Sequence, residues 1–333
     1  EGIKISNVAT SKLRRYASLL NVVDFFKFFF GLFQALLKLL FFMPDVVFSK
    51  GGPGAFAIVL AARWYRIPVV VHESDAVAGL TNRKSAKHAA IIDLAFEEAK
   101  KYFPSSKPMH VVGVPVRKDL LLQESPDTSR LEFGFHSKEK PTLFVVGGSQ
   151  GAQVLNNFVL DNAQLLLSNF HVIHSVGPNN YEEFKAEFDF MTKNYDQALK
   201  DSYWSTAYMK DRQMAVALNG ADLVISRAGS SIWELAGIGK PAILIPLPDS
   251  ANNHQRENAY AYANIGAALV IEEENFKPNL FVVQVQKLLS DPEKLERMKL
   301  AARTFYKAES AELIAQDLLN ASSVVNYLAA AEG

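Results

Sequence analysis

The sequence predicts an α/β protein with two Rossmann-like domains. Apolar strand-like runs alternate with helix-like periodic segments, and both halves contain a strand, a glycine turn and a helix in succession. A polar stretch with prolines, residues 120–140, separates the halves. We expect an N-terminal domain over 1–125, a C-terminal domain over 126–305, and a C-terminal helix over 306–333 that packs back on the N-terminal domain. The two domains are expected to face each other across a cleft.

The predicted elements follow in order along the chain. Apolar runs predict strands at 46–48, 69–71, 90–94, 110–112, 142–146, 171–175, 223–226, 242–246 and 268–271. Periodic segments predict helices at 55–65, 80–86, 152–166, 231–237 and 256–265. This alternation indicates parallel sheets.

The composition excludes several classes of function. The 333 residues include 35 basic and 35 acidic ones, so no net charge favours nucleic acid as a partner. The absence of cysteine excludes disulfides, thiolate metal sites and cysteine nucleophiles. The histidines lack metal-ligand spacing, and the sequence contains no Asp-x-Asp motif. We therefore expect no cofactor and no tightly bound catalytic metal.

The most informative segment runs from residue 222 to 259. An apolar run ends in Arg227-Ala228-Gly229-Ser230-Ser231, and Glu234 lies one turn into the next helix. Such a turn binds anions, because free backbone N–H groups and the helix dipole face the ligand. Glu234 can accept both hydroxyls of a ribose or form a surface ion pair, and helix capping explains the two serines equally well. Polar side chains suited to sugar hydroxyls follow: Asn252, Asn253, His254, Gln255 and Asn258.

A second glycine turn, Gly147-Gly148-Ser149-Gln150-Gly151, follows the predicted strand 142–146 and opens a predicted helix. This is the context of a phosphate-binding loop. The turn lacks the Gly-Lys-Ser/Thr of a P-loop and the third spaced glycine of a dinucleotide fingerprint. It therefore indicates phosphate rather than nicotinamide binding, and the alternative is a plain glycine turn.

The first half has two weaker motifs. Ser49-Lys50-Gly51-Gly52-Pro53-Gly54 follows a strand, and its glycines suit a tight connection with positive φ. His72 and Glu73 end the next strand, where open α/β sheets place ligand-binding loops. A buried, satisfied His–Glu pair and a catalytic pair explain these two residues equally well.

The order of these motifs, with Gly79-Leu80-Thr81-Asn82, Gly113-Val114-Pro115-Val116-Arg117 and Asn253-His254-Gln255, resembles one family over nearly the whole chain. The family is that of the bacterial N-acetylglucosaminyltransferases that convert lipid I to lipid II in peptidoglycan synthesis. The resemblance implies a GT-B fold with the donor site mainly in the C-terminal domain and the acceptor site mainly in the N-terminal one. It implies inverting transfer of N-acetylglucosamine from UDP-GlcNAc to a muramoyl-pentapeptide diphospho-undecaprenol acceptor.

The resemblance also implies roles for individual residues. Arg117 and the Ser149-Gln150 turn hold the diphosphate, Met209 offers a backbone contact to uracil, and Met214 packs on the base. Gly229 and the two serines after it line the donor phosphates, Glu234 binds the ribose, and the polar residues after it read the sugar. The implied substrate-binding set is Asp75, Asn82, Arg117, Ser149, Gln150, Asn156, Met209, Met214, Gly229, Ser230, Ser231, Glu234, His254, Gln255 and Asn258.

The sequence departs from the family pattern at three places. Asp75 stands where the family uses Asn, and Val114 stands where it often has Asn. The family opens with a strand and a Gly-rich loop ending in His, which supplies its candidate base, and nothing here resembles that element. We therefore expect an N-terminally truncated sequence with an incomplete N-terminal domain, which need not be active as written. Among the residues present, His72 and Glu73 are the candidate catalytic bases.

Residues 19–42 form an apolar segment rich in phenylalanine. The polar residues that interrupt it make a poor spanning helix; they are Asp24, Lys27, Gln34 and Lys38. Three basic residues precede it: Lys12, Arg14 and Arg15. This pattern is typical of a helix in the membrane interface with cations on anionic headgroups. We expect peripheral attachment to the cytoplasmic face of the inner membrane; a buried domain helix and a single transmembrane span are the alternatives.

Three other functions fit the motifs. A UDP-GlcNAc 2-epimerase shares the fold and the nucleotide but does not need the phenylalanine-rich helix. A diacylglycerol glycosyltransferase differs from the expected enzyme only in its acceptor. A non-catalytic nucleotide-sugar binding protein is consistent with the missing N-terminal loop.

Overall fold

The computed structural model describes residues 3–10, 20–136, 139–248 and 250–331. The chain divides into two compact units, one made of Glu1–Val114 with Glu309–Gly333 and the other of Pro115–Ala308. The division falls after Val114, whereas the sequence placed a boundary after residue 125. Residues 115–125 belong to the second unit because they bond to it; for example, Asn219 Nδ2 donates to the Leu122 carbonyl at 2.7 Å.

The strands and helices alternate along most of the chain. The strands are β1 (Val47–Ser49), β2 (Val69–Glu73), β3 (Ile91–Leu94), β4 (Met109–Val111), β5 (Thr142–Val146), β6 (His171–Ser175), β7 (Tyr203–Thr206), β8 (Leu223–Ser226), β9 (Ala242–Leu244) and β10 (Ala268–Val270). The α-helices are α1 (Leu20–Phe42), α2 (Ala55–Trp64), α3 (Leu80–Ser85), α4 (Pro126–Leu131), α5 (Gln153–Asp161), α6 (Ala163–Asn169), α7 (Tyr181–Met191), α8 (Gln197–Lys200), α9 (Asp211–Gly220), α10 (Ser231–Ile238), α11 (His254–Asn264), α12 (Pro278–Leu289), α13 (Pro292–Phe305) and α14 (Ser310–Ala331).

Each unit contains one parallel sheet. The order is β1-β2-β3-β4 in the first unit and β10-β9-β8-β5-β6-β7 in the second. Every residue of β2, β5, β6 and β8 is buried, as expected of parallel strands covered by helices on both faces. In the first unit α14 packs on β2 and β3.

The predicted strands agree with the observed ones to within two residues, and β7 was missed. All four β7 residues, Tyr-Trp-Ser-Thr, are only partly buried, so this edge strand lacks the continuous apolar run of the others. The predicted helix 152–166 is wrong as a single helix. It breaks at Asn162, which has φ −121° and ψ 21° and donates from its side chain to the Phe158 carbonyl.

Helix α1 lies on the surface of the first unit. Ala35 and Leu39 are buried and the helix packs on α2, but most of its large side chains are exposed. These are Phe25, Phe26, Phe29, Phe30, Phe33, Leu37, Leu40, Phe41 and Phe42. The alternative of a buried domain helix is therefore wrong.

Residues Val23–Phe42 are long and apolar enough to cross a membrane by length and composition. The three basic residues expected to accompany this helix, Lys12, Arg14 and Arg15, lie outside the described residues.

Candidate nucleotide-sugar site

The Gly147–Gly151 turn begins where β5 ends. Gly148 and Gly151 have φ of +86° and +79°, a region that glycine occupies without strain. A Cβ on Gly151 would lie 2.0 Å from the Val176 carbonyl oxygen, so the turn is pressed against the loop after β6. The turn leads into α5, whose first N–H groups have no acceptor within the helix. This is the geometry of a backbone anion site.

The second turn, residues 227–230, lies between β8 and α10. Because Val146 of β5 pairs with Ser226 of β8, the two turns start at the same level of the sheet edge. The Arg227 side chain is buried and donates to the Ile245 carbonyl at 3.0 Å and to Glu273 at 2.7 Å. Its guanidinium therefore holds the turn to Ile245, which follows β9, and to Glu273.

The two serines of this turn do not cap α10 through their side chains. Ser230 occupies the position before the helix, but within the described residues its hydroxyl makes no capping hydrogen bond. The Ser231 hydroxyl donates to the Arg227 carbonyl at 3.2 Å. The capping explanation is therefore wrong for Ser230, which faces the pocket instead.

A cavity of about 410 Å³ lies between the two turns, entirely within the second unit. One wall is apolar and contains Phe144, Met214 and Leu218; a planar base needs a surface of this kind. Ten of the predicted substrate-binding residues line the cavity: Arg117, Ser149, Gln150, Met209, Met214, Gly229, Ser230, Ser231, Glu234 and Gln255.

Three charged side chains meet at the mouth of this cavity. Arg117 donates from Nη1 to Asp211 and from Nη2 to Glu234 Oε1 at 3.3 Å. Burial raises the pKa of Glu234, and the Arg117 charge opposes that rise. The residue expected at the diphosphate and the residue expected at the ribose are thus paired with each other.

Two predicted residues, Asn156 and Asn258, are buried beside the cavity instead of lining it. Asn156 donates to the Val176 carbonyl at 3.0 Å and contacts His174 Nε2 at 3.1 Å. Asn258 donates to the Ala228 carbonyl at 3.2 Å. Both amides therefore position the loops that form the cavity wall. His254 also lies outside the lining, at the start of α11.

The remaining predicted residues form a cluster in the first unit. His72 is fully buried, donates from Nε2 to the Gly113 carbonyl at 2.8 Å and accepts at Nδ1 from the Ser74 hydroxyl at 3.3 Å. Burial lowers the pKa of His72 to about 4. Both ring nitrogens of the candidate base are therefore engaged.

Glu73 organises the loop after β2. Its carboxylate accepts from the backbone N–H groups of Asp75 and Gly79 and from Asn82 Nδ2 at 3.0 Å. Asn82 also donates to the His72 carbonyl, while its buried Oδ1 has no partner within the described residues. Burial raises the pKa of Glu73. The arrangement matches the buried, satisfied His–Glu pair.

Sequence reasoning did not name several residues of this site: Phe144, Val146, Ser175, Tyr208, Leu218 and Leu235 in the lining, and Asp211 beside Arg117. Asp211 carried a usable signal, because it begins α9 directly after Met209 and Lys210. Ser175 and Leu218 carried none, since they belong to an ordinary buried strand and helix.

Two parallel α/β units, with a glycine-lined cavity at the strand ends of the second, define a GT-B glycosyltransferase. The chain belongs to glycosyltransferase family 28, whose C-terminal domain model matches residues 142–318 and whose N-terminal domain model matches residues 1–92.

Named relatives make the resemblance more specific. A UDP-N-acetylglucosamine–N-acetylmuramyl-(pentapeptide) pyrophosphoryl-undecaprenol N-acetylglucosamine transferase from Clostridium tetani is 34% identical, over 90% of this chain and 80% of the relative. The transferase of the same name from Legionella pneumophila (strain Paris) is 36% identical, over 88% of this chain and 77% of the relative.

Solved structures agree with this placement. The crystal structure of MurG from Acinetobacter baumannii matches with a TM-score of 0.68 and 27% identity, over 89% of this chain and 79% of that one. A UDP-GlcNAc 2-epimerase from Neisseria meningitidis bound to UDP-GlcNAc matches with a TM-score of 0.64, over 92% of this chain and 83% of that one. Its identity of 15% shows a shared fold alone.

The depressed pKa of His72 makes the stability of the first unit depend on pH. In the unfolded chain the His72 imidazole becomes protonated below pH 6.5, whereas in the folded chain it stays neutral until the pH falls to about 4. The free energy of unfolding therefore falls as the pH falls from 7 to 5, by about 2 kcal/mol for this residue. His72→Gln keeps the Nε2 donor for Gly113 and should remove this contribution.

Native-state hydrogen exchange of the β2 and β3 amides at pH 7 and pH 5 measures the effect. Amides of β5 in the second unit are the internal control and should respond equally in both proteins. An unchanged pH dependence of β2 in His72→Gln contradicts the prediction.

Proposed function

We propose that this protein transfers N-acetylglucosamine from UDP-GlcNAc to the muramoyl-pentapeptide diphospho-undecaprenol acceptor, converting lipid I to lipid II in peptidoglycan synthesis. The observation that carries the proposal is the cavity between the two glycine turns at the ends of β5 and β8. Relatives 32–36% identical to this chain bear the name of that transferase. We assign donor binding to the second unit, and acceptor and membrane binding to the first.

The donor diphosphate binds between the two turns in this proposal. Backbone N–H groups near Ser149, Gln150 and Gly229 face the phosphates together with the N-termini of α5 and α10, and these dipoles favour negative charge. The uracil lies on the apolar wall with Met209 and Met214. The GlcNAc hydroxyls bind near Gln255 and His254 at the start of α11.

Arg117 changes partners when the donor binds. In the structure its guanidinium pairs with Asp211 and Glu234. A ribose that donates both hydroxyls to Glu234 satisfies this carboxylate, and Arg117 then pairs with the diphosphate through charge-assisted hydrogen bonds. The Arg117 guanidinium therefore pairs with the leaving diphosphate only when the nucleoside is bound.

The chemical step is a single displacement with inversion. The acceptor hydroxyl oxygen forms a bond to the anomeric carbon as the bond from that carbon to the UDP oxygen breaks, and the hydroxyl proton passes to a base. Charge develops on the departing diphosphate, where Arg117 and the helix N-termini stabilise it. Groups fixed in place before the reaction make this stabilisation effective.

Of the two candidate bases, neither His72 nor Glu73 presents an unengaged polar atom to a substrate. We propose that this pair shapes the acceptor loop, residues 73–79, and so positions Asp75 and Asn82. Base catalysis by either residue requires one of the observed hydrogen bonds to open.

We also propose that α1 attaches the protein to the cytoplasmic face of the membrane. Its exposed phenylalanines supply the apolar face that inserts between lipid headgroups. A transmembrane span is disfavoured because α1 packs on α2 and because a Cβ on Gly31 would lie 2.2 Å from the Ala9 carbonyl. One side of α1 is therefore covered by protein. Anionic lipids are the expected partners of the lysines on this helix.

An assay with UDP-GlcNAc and a lipid I analogue tests the main proposal. We expect UDP release that requires the analogue and a disaccharide product with inverted configuration. UDP release without acceptor, or formation of ManNAc, indicates the 2-epimerase. Transfer to diacylglycerol alone indicates the other lipid acceptor, and UDP binding without turnover indicates a binding protein.

Glu234→Ala should weaken UDP binding by about 1–3 kcal/mol, because two ribose hydroxyls lose a charged acceptor. Isothermal titration with UDP measures the change. Glu293→Ala is the matched control, since this carboxylate lies on α13 and is 88% exposed. An unchanged affinity in Glu234→Ala removes the ribose assignment.

Phe30→Asp should reduce binding to vesicles of phosphatidylglycerol and phosphatidylethanolamine by roughly tenfold or more, because a charge replaces a ring that inserts between the headgroups in this proposal. Phe30 is 57% exposed. Phe190→Asp, which changes a ring on α7 that is 68% exposed, is the control for the charge itself. Vesicle sedimentation measures the difference, and equal binding of the two variants contradicts the role of α1.

A further inference from the structure

A cluster of three polar side chains lies in the first unit on elements remote from each other in sequence. Asp93 of β3 and His110 of β4 are directly paired residues of the parallel sheet, which puts their side chains on the same face. Asp317 lies on α14, which packs on β3. One ligand atom from each residue lies within 4.8 Å of the others.

Asp93 is the unusual member of the cluster. It is fully buried, and its carboxyl lies within hydrogen-bonding reach of the Asp317 carboxyl, with no N–H or hydroxyl donor to its oxygens among the residues that the structure describes. Its polar neighbour is the second carboxylate, Asp317, which is also buried. Two carboxylates in an apolar interior repel each other unless a cation or a shared proton lies between them. His72 of β2 is also directly paired with Asp93 in the sheet, and Val70, Ile91 and Ala321 form a buried apolar cluster on these elements.

His110 completes a set of ligands that differ in chemical type. Its Nδ1 is hydrogen-bonded to Asp317 Oδ2 at 2.7 Å, a contact that a bound ion would replace, and about half of its side chain is exposed. The two buried carboxylates therefore form the inner side of the cluster, and the half-exposed imidazole of His110 forms the side that faces solvent. Water can enter from that direction to fill any remaining coordination position.

We propose that Asp93, His110 and Asp317 bind a divalent transition-metal ion of the zinc type. Magnesium and calcium prefer sites made of oxygen alone, whereas an imidazole with two carboxylates suits zinc or cobalt. Three protein ligands with an open fourth position suit the observed exposure of His110. The ion neutralises the two buried carboxylates and ties α14 to the sheet.

This site is distinct from the donor cavity, because all of its ligands belong to the first unit and the cavity lies in the second. It does not replace the metal-independent stabilisation of the leaving group. The sequence shows no metal-ligand spacing because the three ligands are not neighbours along the chain. Only sheet pairing and the return of the chain as α14 bring them together.

Metal titration of the full chain, without an affinity tag and after treatment with a chelator, tests the proposal. We expect one equivalent of Co²⁺ to give visible d–d absorption that Zn²⁺ abolishes, and Zn²⁺ to raise the melting temperature. Asp93→Asn and His110→Ala should each weaken Zn²⁺ binding by more than about 100-fold. His88→Ala, which removes a partly buried histidine of the same unit that lies outside the cluster, should bind as the parent does.

The variants keep the test decisive even if the cluster also affects folding. Asp93→Asn removes a buried charge, so the metal-free variant should remain folded with a far-ultraviolet circular dichroism spectrum like that of the parent. The proposal is overturned if the parent shows no Co²⁺ absorption and Zn²⁺ leaves its melting temperature unchanged. The two carboxylates then share a proton instead of binding a metal. Binding that persists in both ligand variants overturns it by placing the metal elsewhere.

Discussion

The donor cavity depends on a close approach of two backbone segments. Gly151 lies against Val176 and Gly177 with no room for a Cβ on either glycine, since such an atom would come within 2.0 Å and 2.5 Å of a carbonyl oxygen. This contact joins the turn after β5 to the loop after β6, and the pairing of β5 with β8 aligns the second turn. The anion-binding backbone is therefore fixed by sheet register and steric exclusion, and buried amides such as Asn156 hold it in place.

Electrostatics in the second unit follows from the same geometry. Parallel strands end at one edge, so α5 and α10 both begin there and concentrate positive potential around an otherwise apolar cavity. The carboxylates of Asp211 and Glu234 balance the charge of Arg117. In the proposed function, a nucleoside diphosphate differs from an isolated phosphate because it reaches both the Glu234 carboxylate and the Arg117 guanidinium.

Much of the fold and the donor site could be predicted because local signals carry them. Continuous apolar runs identified β5 and β8, and the glycine turns predicted after them line the cavity. Burial and pairing could not be predicted in the same way. Nothing local distinguishes Asn258, which holds a loop carbonyl, from Gln255, which lines the cavity. The His72–Glu73 pair was equally consistent with two roles, and only the contacts to Gly113 and Gly79 describe what its polar atoms do.

The path of the chain has a consequence for biosynthesis. The first unit is interrupted by the whole of Pro115–Ala308 and receives α14 only afterwards. Until that helix emerges from the ribosome, the face of β2 and β3 that it covers is exposed, including the positions of Val70 and Ile91. The second unit is continuous in sequence, so it can finish folding while the first unit still lacks α14. Nascent chains of this protein thus carry an unfinished sheet face that chaperones can recognise until the last helix docks.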